Sequence, residues 1–133
     1  MAIPQFSIDA SHADISNALG EAGCVVVTGV TDAELRQSIT SELAPHMAAV
    51  KIDEVDDPEE FYPGHTRRVS ALVARSASTT DTLIAHPLSQ HICDSHLLPH
   101  SEYGYQLHVS AALEVGPGAR EQILHREEDS FTF

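Results

Sequence analysis

The sequence predicts a mainly β domain with helices, the helices first and the strands last, and three observations predict it. From Tyr105 to Val115 the residues alternate. Tyr105, Leu107, Val109, Ala111, Leu113 and Val115 fall on one face, and Gln106, His108, Ser110, Ala112 and Glu114 on the other. That period of two is the mark of a strand with one apolar side. A β-branched run, Cys24-Val25-Val26-Val27-Thr28, reads as a buried strand. Helical spacing of apolar residues is confined to the stretches before residue 100.

Taken in order, residues 12 to 22 place Ile15, Ala18, Leu19 and Ala22 on one helical face, with Gly23 as the stop. The strand at 24–28 follows and is closed by Gly29. Thr31 and Glu34 have the spacing of a capping box, with Thr31 as the N-cap. Leu35, Ile39, Leu43 and Met47 then recur every four residues, which predicts an amphipathic helix over 32–49 with a kink at Pro45. The acidic run 53–60 and the segment Phe61-Tyr62-Pro63-Gly64-His65 read as loop. Arg68 to Ala74 reads as a strand. Residues 79–85 and 88–98 read as helices separated by His86-Pro87, and Pro99 ends the second. After the alternating strand, Gly116-Pro117-Gly118 makes a turn. A short apolar strand through His125 is expected to pair with 105–115 or to lie in a facing sheet.

Composition narrows the function. A chain of 133 residues is one domain, large enough to bury a core. Its formal net charge is -13 with only seven Lys and Arg, so nucleic acid, which needs clustered cations, is excluded as a partner. The acidic run reads as a solubilising surface. Cys24 and Cys93 are too few for a disulfide scaffold, and their apolar neighbours suit buried thiols in a reducing compartment. Met1 to Asp9 lacks the basic and apolar regions of a signal peptide. The longest apolar run is far too short to span a bilayer, so no membrane partner and a cytoplasmic location are expected.

The chemistry gathers at His125-Arg126-Glu127. Residues two apart on a strand project to the same face, so His125 and Glu127 can reach one metal ion. They make up two thirds of the two-histidine, one-carboxylate set that holds non-haem Fe(II) with positions open for oxygen. Glu128 or Asp129 could replace Glu127 as the carboxylate if the strand is locally distorted. Gln106 and His108, on the polar face of the long strand, are candidates to line a substrate pocket, against the simpler reading of exposed strand residues. His65, Arg67 and Arg68 form a basic cluster suited to a substrate carboxylate, although pairing with the acidic loop is the favoured reading. His86, His91, His96 and His100 read as surface residues, because His91 and His96 are five apart and diverge on a helix.

Five segments together resemble the phytanoyl-CoA dioxygenase family: ALGEAGCVVVTGVTDAELRQSI, GHTRRVSALVARS, HPLSQHICDSHLLP, YQLHVSAALEVGPG and QILHREED. The resemblance implies a partial double-stranded β-helix of the jelly-roll or cupin type, with the N-terminal helices packed outside. It implies a single truncated dioxygenase-like domain over 1–133. Residues 1–50 are a helical region with one strand, 51–100 hold loop, strand and helices, and 101–133 carry jelly-roll strands with the motif. It implies Fe(II) held by His125 and Glu127, where the family usually has Asp, and 2-oxoglutarate contacted by Gln122. The family's second histidine and its cosubstrate-anchoring arginine have no counterpart before Phe133. The chain therefore matches the N-terminal half of such an enzyme, which hydroxylates or desaturates a small organic metabolite. Half a barrel exposes an apolar face and strand edges, so a homodimer or a partner chain is expected. The alternatives are a scaffold or binding relative that lost the metal site, and a cofactor-independent isomerase or cyclase using His108 or His125 to carry a proton.

Overall fold

The computed structural model describes residues 2–52, 55, 57–58 and 60–125. Its first unit is a crossover. Strand β1 (Gln5–Ser7) lies parallel to β2 (Val26–Thr28), pairing Phe6 with Val27, and helix α1 (His12–Ala22) connects them. The α1 residue Ile15 is fully buried, as its place on the apolar stripe requires. Gly23 ends the helix at φ 75° and donates its N–H to Leu19 O at 2.8 Å, a left-handed cap that a side chain would strain. The strand expected at 24–28 pairs only from Val26, and Val26 is 41% exposed. A two-stranded parallel pair leaves its outer face open, which explains the exposure. Cys24 is exposed and Cys93 half-buried, so the expectation of two buried thiols fails: Cys24 sits in the turn between the α1 cap and β2.

Helix α2 (Ala33–Ala48) begins one residue later than the capping-box reading places it. Asp32, not Thr31, is the N-cap, its carboxylate accepting from Leu35 N–H at 2.7 Å. Both spacings fit the sequence, and the charged oxygen is the stronger acceptor for an N-terminal amide. The helix runs through Pro45. Its buried face holds Leu43, packed with Val69 and Leu72 and flanked by Ile39, Met47, Val50 and Ala112. This cluster joins α2 to the second sheet.

That sheet is antiparallel β3 (Thr66–Ser70) with β4 (Ala111–Val115), in a register that sets Arg67 opposite Glu114 and Ser70 opposite Ala111. The strand expected over 68–74 is shifted toward the N-terminus. Ala71 takes a left-handed conformation at φ 59°, and Leu72–Ala74 is a 3-10 turn that drops Leu72 into the core. The same turn shortens the alternating strand. Its partner ends at Ser70, so the ladder ends at Ala111, and 105–110 runs without a ladder. Leu107 and Val109 are more than half exposed, although alternation marks them as one apolar face. Residues 119–125 also form no ladder among the described residues, against the strand expected through His125.

Between the sheets come α3 (Ala77–Thr79), continued by a π-helical turn over Thr80–Ile84, then α4 (Pro87–His96) and a 3-10 turn at Leu98–His100. Ser76, 1% exposed, caps α3 through Thr79 N–H at 3.0 Å. Glu42 of α2 accepts from Ser76 Oγ at 2.7 Å and from Ser78 Oγ at 2.6 Å and N–H at 3.1 Å, pinning α3 to α2. The four histidines read as surface residues are mostly structural. His86 Nδ1 caps α4 by accepting from Leu88 N–H at 3.0 Å. His96 Nε2 meets Ser16 Oγ at 3.0 Å, and the His91 ring lies 5.8 Å from that of His12, so both tie α4 to α1. His100, in the 3-10 turn, is exposed. Among the described residues four strands form two two-stranded sheets, helical residues outnumber strand residues, and no helix is long and apolar enough to cross a membrane.

Candidate functional site

The segment that carries His125 is held by side chains from a distant loop. Gly116 continues β4 by donating to His65 O at 2.8 Å, and the Gly-Pro-Gly turn then sends the chain back toward residues 57–62. There Arg120 donates through Nη2 to the carbonyl oxygens of Asp57, at 3.1 Å, and Glu60. Phe61 meets the His125 imidazole nearly edge-on, with centroids 4.8 Å apart and planes at 75°. The Phe61 ring also packs edge-to-face on Tyr62 at 5.0 Å, and the Arg68 guanidinium of β3 lies over Tyr62 at 4.8 Å. A continuous file of aromatic and cationic side chains thus runs from β3 to His125.

His125 itself is exposed, and its Nδ1 lies 2.7 Å from Ile123 O. A carbonyl oxygen can only accept, so Nδ1 is the donor in this contact. Metal-binding histidines are commonly oriented by a backbone carbonyl in this way. Gln122, with Pro58, Arg120, Ile123 and Leu124, lines an open groove of about 560 Å³ beside it.

The other expected site residues divide. Glu127, Glu128 and Asp129 lie outside the described residues. Gln106 and His108 are exposed in the stretch before β4 and do not line the groove. The basic cluster does not pair as expected. Arg67 forms an ion pair with its cross-strand neighbour Glu114 at 2.8 Å, Arg68 stacks on Tyr62, and His65 takes a left-handed turn at φ 59°. Cross-strand geometry decides this, since Arg67 and Glu114 face each other in register and need no loop to meet. The Arg67 Nε is buried and has no hydrogen-bond partner among the described residues. Among the described residues, no three His, Cys, Asp or Glu side chains converge as a metal site. Sequence reasoning missed Phe61 and Arg120. Their signal was present in a chain with four Phe and seven basic residues: an aromatic pair beside the acidic run, and a lone arginine just before the motif.

No family model matches the chain. Over 130 residues it is 28% identical to the multifunctional dioxygenase prhA of Penicillium brasilianum, an alignment covering 97% of this chain and 42% of that protein. It is 27% identical to the multifunctional dioxygenase ausE of the same organism, with the same coverage of both chains. Dioxygenase aneA of Aspergillus aculeatus is 26% identical over 121 residues, 88% of this chain and 40% of that protein. The chain is therefore similar along nearly its whole length to proteins named dioxygenases, a class of oxidoreductase, and it spans less than half of their length.

Proposed function

We propose that this chain is part of an Fe(II)- and 2-oxoglutarate-dependent dioxygenase of the phytanoyl-CoA type, acting on a small organic metabolite that it hydroxylates or desaturates. One observation carries the reading. In a chain similar to dioxygenases over 97% of its length, the motif histidine donates from Nδ1 to Ile123 O, the way a backbone carbonyl commonly orients a metal-binding histidine.

His125 and Glu127 would hold Fe(II), an imidazole and a carboxylate being donors suited to that ion. Gln122, in the open groove lined by Arg120 to Leu124, would contact 2-oxoglutarate. When bound, Fe(II) and 2-oxoglutarate supply the O2-dependent oxidation of a substrate C–H bond, with the cosubstrate leaving as succinate and CO2. The chain's own residues prepare the place. Ile123 O accepts from the imidazole Nδ1, and Phe61 packs against the ring. Apolar side chains left more than half exposed, among them Leu107, Leu113, Ile123 and Leu124, support a further part of the protein or a second copy closing over this side.

The test is an anaerobic titration of the protein with Fe(II) and 2-oxoglutarate, watching for the visible charge-transfer band of the chelate. A band in the wild type that His125→Ala abolishes is the expected result. No band in folded protein overturns the reading for this chain.

A further inference from the structure

We propose that Phe61 is a positioning residue for His125, and that residues 60–62 form a strap holding the imidazole in one orientation. The inference rests on the metal reading above and deepens it. An exposed histidine side chain has two ring-flip states and rotation about its side-chain bonds to restrict. Two of the contacts His125 makes do so. Ile123 O, 2.7 Å from Nδ1, accepts a hydrogen bond from it. Phe61, 4.8 Å away at 75°, packs against the ring and restricts its rotation.

Phe61 can do this only because its own place is set from both ends. Tyr62 packs on it at 5.0 Å and is in turn covered by the Arg68 guanidinium, which stands on the rigid β3 ladder. On the other flank Arg120 binds the carbonyls of Asp57 and Glu60, so the strap and the segment bearing His125 move as one piece. A ligand held by packing from a sheet loses less freedom on binding, and supporting groups of this kind are commonly worth about 10-fold or more in metal affinity.

The experiment uses the full chain, metal-free first. Wild type, Phe61→Leu and Phe61→Ala are compared by NMR of histidine-labelled protein, reading the His125 ring proton shifts and the ring nitrogen shifts that report the tautomer. The expected result is loss of the Phe61 ring-current shift, together with movement of the nitrogen shifts toward the mixed tautomers of a free imidazole. The Ser16 contact to His96, far from the strap, keeps its signals and shows that the fold is intact. Co(II) binding is then expected to weaken about 10-fold in Phe61→Leu, with Tyr at position 61 restoring both readouts. If the His125 nitrogen shifts are unchanged in Phe61→Leu, the positioning role is overturned. If they change while Co(II) never binds the wild type through His125, the strap stands and the metal reading falls.

Discussion

The same substitution, glycine to alanine, should stabilise this protein at position 20 and destabilise it at position 116. At Gly116 an added Cβ would lie 2.9 Å from His65 O, a backbone atom, and 3.7 Å from His65 Cβ. That oxygen also accepts the Gly116 N–H at 2.8 Å, so it cannot retreat without stretching the bond that prolongs the ladder past Val115. Losing the bond costs about 1 kcal/mol, and residual overlap adds roughly 1–2 kcal/mol. The reduced freedom of the unfolded alanine chain returns about 0.4–1 kcal/mol. The expected net loss is about 1–2 kcal/mol. Gly20 lies inside α1, where the new Cβ would meet only His96 Cε1 at 3.4 Å, ordinary contact with the end of a side chain. Removing a helix-interior glycine there should add about 0.5–1 kcal/mol. Urea unfolding of both variants, read against wild type at constant slope, measures the pair. A Gly116→Ala protein as stable as wild type would refute the close approach of β4's exit to His65 and, with it, the path that carries the chain to the candidate site.

Two further outcomes follow from ionisable groups. Tyr105 donates to Asp94 at 2.6 Å, and that bond, with burial and the carboxylate's charge, pushes its phenol up to about 12. Phenolate absorbance on alkaline titration should therefore show one late-ionising tyrosine, lost in Tyr105→Phe and shifted back down in Asp94→Asn. Glu42 is held below the ordinary carboxylate range by the Ser78 hydroxyl first and the Ser76 hydroxyl second. A depressed folded-state pKa contributes stability above the unfolded value and loses it as pH falls through the folded one. Glu42→Gln should thus be less stable than wild type near neutrality, and the gap should close in acid; a gap independent of pH would remove the carboxylate from the role assigned to it.

Much of the N-terminal half was legible because its signals are local. The α1 stripe, the Gly23 stop and the Leu43 face of α2 follow from spacing alone, and the structure repeats them within a residue or two. β1 was invisible, since three residues carry no period and its existence depends on β2 lying beside it. The alternation at 105–115 found β4 but overstated its length and marked the wrong face: Ala112, opposite Val69, packs on the core, while Leu113 and Val115 are more than half exposed. Alternation describes what a strand could bury, whereas the ladder's length is set by the partner, and β3 stops where Ala71 turns left-handed. At the site, His125 and Gln122 were legible as residue types at a spacing. Phe61, Tyr62 and Arg68 were not legible as a group, because only the fold brings the far side of an acidic loop against the motif.

The way that site is held has a consequence for how it should be probed. β3 and β4 are joined by a full ladder and by the buried cluster of Leu43, Val69 and Leu72, so they share the stability of the whole domain. The 119–125 segment is joined by a few exposed contacts. An edge-to-face ring pair is worth about 0.5–1.5 kcal/mol, a surface cation over a ring about 0.5–1 kcal/mol, and the Arg120 hydrogen bonds about 1 kcal/mol each. These contacts sum to a few kcal/mol, below the typical total for a domain, and a segment held by contacts of this kind opens more readily than a packed sheet. Substitutions in the strap should move the His125 signals and metal affinity with little change in global unfolding, whereas substitutions in the Leu43 cluster should do the reverse. Stability measurements alone would rank Phe61 as unimportant, and the reason is its place in the fold: it restrains a histidine and supports little else.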